Sequence, residues 1–260
     1  MSRQSRNKLN RLLQAWPRGT VVTGPFLHEK GVYRQLVAKY LRNGWIERIG
    51  KGAYFRCGDT VDWRGGLYAL QTQLAMTVHV GGRTALEMLG LAHFLPLGRR
   101  RKVILISDRP EQLPTWFKKH KWGIDVDHHS LSLFSRIPDQ ATTQLDCGGF
   151  EITLSNAERA VMEQMRLMRS NSDIEHVLQL LEGLTTLRPS VVQSLLESCT
   201  SVKVKRFFLW SAETVGHGWV ERLDLARVDL GTGKRQLYKG GRFDPKYRIT
   251  VPKREDLPGV

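Results

Sequence analysis

Residues 31–56 read GVYRQLVAKYLRNGWIERIGKGAYFR, and most of the N-terminal fold is legible in them. Val32, Leu36, Val37, Tyr40 and Leu41 recur at helical spacing, which predicts a helix over 32–42 with one apolar stripe. The other face of that helix presents Tyr33, Arg34, Gln35, Lys39 and Arg42. Asn43-Gly44 follows as the stop, because glycine adopts the left-handed backbone a helix end needs. Two β-prone runs, 45–49 and 53–56, then flank Gly50-Lys51-Gly52, the pattern of a hairpin. Towards the N-terminus, Leu9, Leu12 and Leu13 predict a short helix over 6–15, ended by Pro17-Arg18-Gly19. An extended piece at 20–22 and a compact one at 24–30, closed by Gly31, fill the gap. Helix, strand, helix, helix, hairpin is the element order of a winged helix-turn-helix. A small core of Leu9, Leu12, Val21, Leu36, Leu41 and Ile49 is expected beneath it.

Charge separates this segment from the rest. The chain of 260 residues holds 40 Lys and Arg against 25 Asp and Glu, a net +15. Residues 1–56 carry a net +10, residues 57–199 a net −1 and residues 200–260 a net +6. Two-thirds of the excess thus sits in about a fifth of the chain, which favours a polyanion-binding module at the front. Reading a major groove takes a helix with long polar donors on its exposed face and a backbone grip at its flanks. Arg34, Gln35 and Lys39 suit the first role, Arg42, Arg48, Lys51 and Arg56 the second, and Tyr33 can reach a phosphate or stack.

Composition removes several classes of protein. A hydrophobic share of 41% and a charged share of 25% are those of a folded domain, not a disordered chain. The three cysteines, Cys57, Cys147 and Cys199, are far apart and form no CxxC pair, so neither a disulfide framework nor a thiolate zinc site is expected. The longest purely aliphatic run, Val103-Ile104-Leu105-Ile106, is far shorter than the roughly 18 residues of a membrane span. Arg3, Arg6, Lys8 and Arg11 are not followed by an apolar signal core. A cytoplasmic protein is the expectation.

Beyond residue 60 the pattern is mixed, and the fold class expected is α+β. Leu67, Leu70, Leu74 and Val78 step helically until Gly81-Gly82, and Thr84-Ala85-Leu86-Glu87 reads as a capping box opening the next helix. The basic run Arg99-Arg100-Arg101-Lys102 precedes a buried strand over 103–107, and β-prone pieces at 124–129 and 150–154 suggest a small sheet. Ser155-Asn156-Ala157-Glu158 and Ser172-Asp173-Ile174-Glu175 read as two more capping boxes, followed by helices over 189–199 and 202–215. The expected boundary lies near residue 60, with a C-terminal region over 61–260 and a further boundary near 155 or near 200.

Signals for catalysis fail one by one. Gly231-Thr232-Gly233-Lys234-Arg235 lacks the first glycine of a phosphate loop and has Arg where Ser or Thr holds magnesium, so it reads as a tight turn. His128 and His129 are adjacent on a strand and point to opposite faces, so they do not share a metal. Asp244-Pro245-Lys246 carries a nuclease-like spacing, but proline disrupts the strand that motif needs. No enzyme activity, metal or cofactor is expected. Large aromatics (Phe207, Phe208, Trp210, Trp219, Tyr238, Phe243, Tyr247) interleave with basic residues between 203 and 253, a composition of either interface or core.

Three blocks carry a family resemblance: 81–87 running on to Leu91-Ala92-His93-Phe94; Ser155-Asn156-Ala157-Glu158-Arg159-Ala160; and 204–209 through Ala212-Glu213, His217, Trp219, Leu223-Asp224, 229–235 and 247–252. With the winged helix in front, the chain resembles an AbiEi-type antitoxin of a type IV, abortive-infection, toxin–antitoxin pair. The resemblance implies an autorepressor that binds inverted repeats in its own promoter as duplex DNA. It further implies a partner toxin similar to nucleotidyltransferases, countered in some systems without a stable complex. Its C-terminal region is the part tied to neutralisation, which carries over to Lys205, Arg206, Glu213, His217, Trp219, Lys234, Arg235 and Tyr247. A monomer that pairs on DNA is expected, since no heptad seam is present. The competing readings are a winged-helix regulator whose back half senses a ligand or dimerises, and a winged helix fused to a nuclease.

Overall fold

The computed structural model describes residues 3–92, 101–253 and 255, with side chains from residue 9 onward. His93, Phe94, Arg99 and Arg100, singled out above, lie outside the described residues, as do the side chains of Arg3, Arg6 and Lys8. In chain order the front half holds α1 (Arg3–Gln14), β1 (Val22–Thr23), α2 (Gly24–Glu29), α3 (Arg34–Arg42), β2 (Ile46–Gly50), β3 (Ala53–Arg56) and α4 (Trp63–Gln73). Then come β4 (His79–Val80), α5 (Gly82–Met88), β5 (Lys102–Ser107), α6 (Thr115–Lys119), β6 (Asp125–Ser130), β7 (Thr142–Asp146) and β8 (Glu151–Ser155). The last third is α7 (Ala157–Leu167), α8 (Asn171–Glu182), α9 (Pro189–Ser198), α10 (Val202–Val215) and the short strands β9 (Arg235–Gln236), β10 (Arg242–Asp244) and β11 (Ile249–Val251). The class is α+β. Three sheets have the orders β1-β3-β2, β6-β5-β4-β8-β7 and β10-β11-β9.

The chain divides into two compact units. The first comprises Met1–His79, Arg100–Ser130 and Gln144–Thr153, and it opens with a winged helix. Leu12, Trp16, Val22, Leu27, Val32, Val37, Tyr40, Ile46 and Tyr54 form its core, with Leu9, Leu36 and Leu41 partly buried against it. The compact piece after the first strand is a helix, α2, because the Thr23 hydroxyl caps its start and Pro25 sits in its first turn. β2 and β3 pair antiparallel across the turn at Lys51-Gly52, and β1 completes the sheet on β3. α4 is bound to this module: the Gln73 side chain accepts from the Thr23 N–H at 2.8 Å and donates to the Val21 carbonyl at 3.0 Å. Gly65 lets α4 approach, since a Cβ there would lie 1.9 Å from the Gly19 carbonyl oxygen. β5 and β6 run parallel over six paired positions, from Lys102 with Asp125 to Ser107 with Ser130. His128 meets the Ser107 hydroxyl at 2.9 Å, and His129 meets Asp127 at 3.0 Å, so the adjacent histidines serve different partners.

The second unit comprises Val80–Arg99, Leu131–Thr143 and Leu154–Val260, and its helices enclose α10. Positions Val204 to Ala212 of α10 are all buried. Phe207, Phe208 and Trp210 are therefore core rather than surface. Each of the three expected capping boxes sits differently from the sequence pattern. Gly81 caps α5, and Thr84 is buried inside the helix. Asn156, not Ser155, caps α7, because the Ser155 hydroxyl is turned inward to donate to Glu163 at 2.8 Å. The genuine capping box belongs to Ser170 and Asp173, two residues before the Ser172 expected.

Two carboxylates anchor loops in these units and set an acid limit on stability. Glu111 accepts from the Arg109 guanidinium and from the Thr77 N–H and hydroxyl, and buried Glu158 accepts from the Arg188 N–H and guanidinium. Burial opposes ionisation at both, yet these donors outweigh it and hold both below the ordinary glutamate value. A folded-state value below the unfolded one gives stability that is fully present above the unfolded value and is lost as pH falls. Urea midpoints should therefore be level near neutrality and drop as pH falls below about 4.5. Arg188→Ala should flatten that drop.

Candidate nucleic-acid interface and partner surface

The helix α3 begins at Arg34, two residues after the expected start, with Tyr33 as its N-cap. Val32, Leu36, Val37, Tyr40 and Leu41 are buried or half-buried, Tyr33, Arg34, Gln35 and Arg42 are exposed, and Lys39 is half-buried. Tyr33 stands at the start of the helix, 56% exposed, edge-on to His28 at 5.0 Å between ring centres. Among the described residues, Arg34, Gln35 and Arg42 have no acidic partner, so their donors are available to a ligand. In the hairpin, Arg48 and Lys51 are exposed, with the Arg48 guanidinium 5.7 Å from the centre of the Tyr54 ring. The face is a helix of long polar donors flanked by a cationic wing.

Arg56 departs from this pattern. Its guanidinium donates to the Leu13 carbonyl at 2.5 Å and stacks over Trp16 at 5.3 Å, tying β3 to α1. Burial pushes its pKa down. The position grouped above with the backbone grips also acts as a clamp inside the winged helix, with one donor on the Leu13 carbonyl and its Nε buried without a hydrogen-bond partner among the described residues.

The eight C-terminal candidates sort by burial in the same way. Lys205, Arg206, His217, Trp219 and Tyr247 are buried. Arg206 donates to the carbonyls of Leu230, Gly231 and Gly233 at 2.7 to 2.9 Å, and to that of Arg248 at 3.4 Å. His217 bonds the Leu181 carbonyl at 2.6 Å, and the Trp219 N–H donates to the Leu184 carbonyl at 3.3 Å. The Tyr247 hydroxyl donates to Glu213 at 2.6 Å, and burial followed by this acidic neighbour pushes the phenol well above its ordinary value. Glu213 also pairs with Lys246 at 2.6 Å. Lys234 and Arg235 are exposed, Lys234 lying 5.1 Å from the ring centre of Phe243, itself 41% exposed. Of the eight, these two and Glu213 are exposed, and Phe243 and Arg242 are exposed beside Lys234 and Arg235. Sequence reasoning grouped Phe243 with the other aromatics; only its exposure sets it apart.

Residues 5–97 match the family model for the AbiEi antitoxin N-terminal domain, described as a transcriptional regulator. Residues 100–252 match the model described as a transcriptional regulator, AbiEi antitoxin, of type IV toxin–antitoxin systems. The chain belongs to the AbiEi antitoxin family. A solved structure of the RV2827C protein from Mycobacterium tuberculosis is similar to it, with a TM-score of 0.52 and 16% identity over 88% of this chain and 85% of that one. That likeness is one of fold. No curated protein sequence matches the chain. Membership in the family makes the chain a transcriptional regulator of antitoxin type. No helix among the described residues is long and apolar enough to cross a membrane.

Proposed function

We propose that this antitoxin represses its own operon in the cytoplasm by placing α3 in the major groove at promoter inverted repeats, one protomer on each half-site. The observation that carries the reading is the unpaired polar face of α3 beside the cationic wing, in a segment whose net charge is +10. Arg34, Gln35 and Lys39 read base edges; Arg42, Arg48 and Lys51 hold phosphates, and Tyr33 flanks them. The back of the chain counteracts a nucleotidyltransferase-like toxin, with Lys234, Arg235 and Glu213 as its exposed candidate positions. The protein acts by binding and not by catalysis.

Gel-shift titration of promoter DNA across a salt series tests the first half. Arg34→Ala or Gln35→Ala should each cost roughly 1–3 kcal/mol and relax sequence preference. Lys51→Ala should instead weaken all duplexes alike and flatten the salt slope by about 0.9. Arg34→Ala binding the promoter as tightly as wild type would put the reading face elsewhere.

A further inference from the structure

A second cationic surface abuts the wing within the first unit. A groove of about 400 Å³ is lined by Lys51 of the wing, by Thr115, Trp116 and Lys119 of α6, and by His120 and Lys121 just beyond it. The wing approaches α6 closely: a Cβ on Gly50 would lie 2.6 Å from the Cβ of Trp116, so only glycine allows this contact. The segment around α6 is firmly held. Phe117 is buried, its carbonyl accepts from the buried Trp122 indole at 2.8 Å, and Trp122 also packs against His120 at 4.4 Å between ring centres. Lysines 119 and 121 are exposed, no acidic residue lines the groove, and among the described residues neither lysine forms an ion pair. Burial lowers the pKa of His120, so the charge of the groove at neutral pH comes from the lysines.

We propose that Lys119 and Lys121 extend the DNA-binding surface past the wing and hold the phosphate backbone of duplex DNA flanking the half-site. The inference rests on the DNA-binding reading above and lengthens its footprint. Three features select the backbone of a duplex as the ligand. The groove continues directly from Lys51, the residue at the turn of the wing. Its charges are lysines, compact point charges suited to phosphate and carrying no base code. Its one large ring, Trp116, is only 6% exposed, which leaves no aromatic anchor for a protein partner or for stacking of single strands.

The test compares the full chain with a Lys119→Ala/Lys121→Ala variant on two promoter duplexes. The short one holds only the base pairs protected beneath α3, and the long one adds about one helical turn, ten base pairs, on each side. Thermal melting first establishes that the variant folds like the wild type, as exposed positions predict. On the long duplex the variant should bind about tenfold more weakly near 0.15 M salt, with a salt slope shallower by about 1.8, while the two proteins bind the short duplex equally. Equal binding of both proteins to the long duplex overturns the proposal and leaves the DNA reading standing. An equal loss on both duplexes also overturns it, because the lysines would then act within the half-site. If wild-type protein binds neither duplex, the DNA reading itself fails.

Discussion

Arg206→Ala is expected to destabilise the chain by about 4 kcal/mol, from the loss of two or three charge-assisted hydrogen bonds worth about 1.5–3 kcal/mol each. The side chain is 1% exposed, and its guanidinium spans the carbonyls of Leu230, Gly231 and Gly233 and reaches that of Arg248. The carbonyls of Leu230, Gly231 and Gly233 belong to a turn in which Gly231 and Gly233 take positive φ, whereas that of Arg248 also accepts from the Arg235 N–H. One planar fork therefore holds the turn to α10. Arg206→Lys should recover less than half of the loss, because an ammonium on a flexible stem cannot meet three carbonyls in one plane. Urea denaturation followed by far-UV circular dichroism measures both variants. The same pair bears on toxin neutralisation. Loss of rescue in Arg206→Ala should track loss of fold, whereas Lys234→Ala and Arg235→Ala, at exposed positions, should leave the melting temperature unchanged. A stable, fully folded Arg206→Ala protein that fails to rescue would make Arg206 a contact residue after all.

Glu163→Ala is the second large effect, about 3–5 kcal/mol, the usual consequence of breaking a buried ion pair from one side. Glu163 and Arg159 are each 1% exposed and meet at 2.7 Å within α7. Glu163 also accepts from the Ser155 hydroxyl at 2.8 Å and from the Gly82 N–H at 3.1 Å, at the first residue of α5. Removing the carboxylate takes from the buried Arg159 guanidinium the carboxylate at 2.7 Å and strips the start of α5 of an acceptor. Glu163→Gln keeps an oxygen for Ser155 and Gly82 but loses the charge and the oxygen that accepts from Arg159, so it should fall between wild type and Ala. Against a total stability of roughly 5–15 kcal/mol, this loss is a large fraction, so the urea midpoint of the Ala variant should fall markedly. A urea midpoint within error of wild type would show that the pair contributes nothing net.

Much of the winged helix was legible because it is local. The stripe from Val32 to Leu41, the stop at Asn43-Gly44 and the glycine-bearing turn of the wing each lie within one or two turns of chain, where periodicity reports the fold directly. The buried strand β5 was legible for the same reason, being a short apolar run with one way to be satisfied. Capping was less secure. Ser-x-x-Glu patterns occur at several offsets, and the hydroxyl of Ser155 is drawn off by Glu163, eight residues on, so the helix takes Asn156 instead. The tetrad Lys118-Lys119-His120-Lys121 was visible but lost in a 57–199 segment whose net charge is −1, because averaging charge over a segment hides a local run.

Composition and spacing pointed to the winged helix and its basic face, and the long C-terminal blocks carried a resemblance to the family that the whole-chain matches show. Tertiary structure alone decided which charged residues serve the surface and which serve the core. Lys205 and Arg206 lie in a helix with basic residues at several positions, which reads as a solvated face. They are buried because other helices and the turn at 230–233 enclose α10, and the carbonyls that Arg206 satisfies lie 24 to 42 residues away along the chain. Arg56 is diverted likewise by the Leu13 carbonyl, 43 residues distant. A guanidinium has the same donors in either setting. What separates a clamp from a contact is whether distant backbone reaches it first, and that is a property of the folded chain.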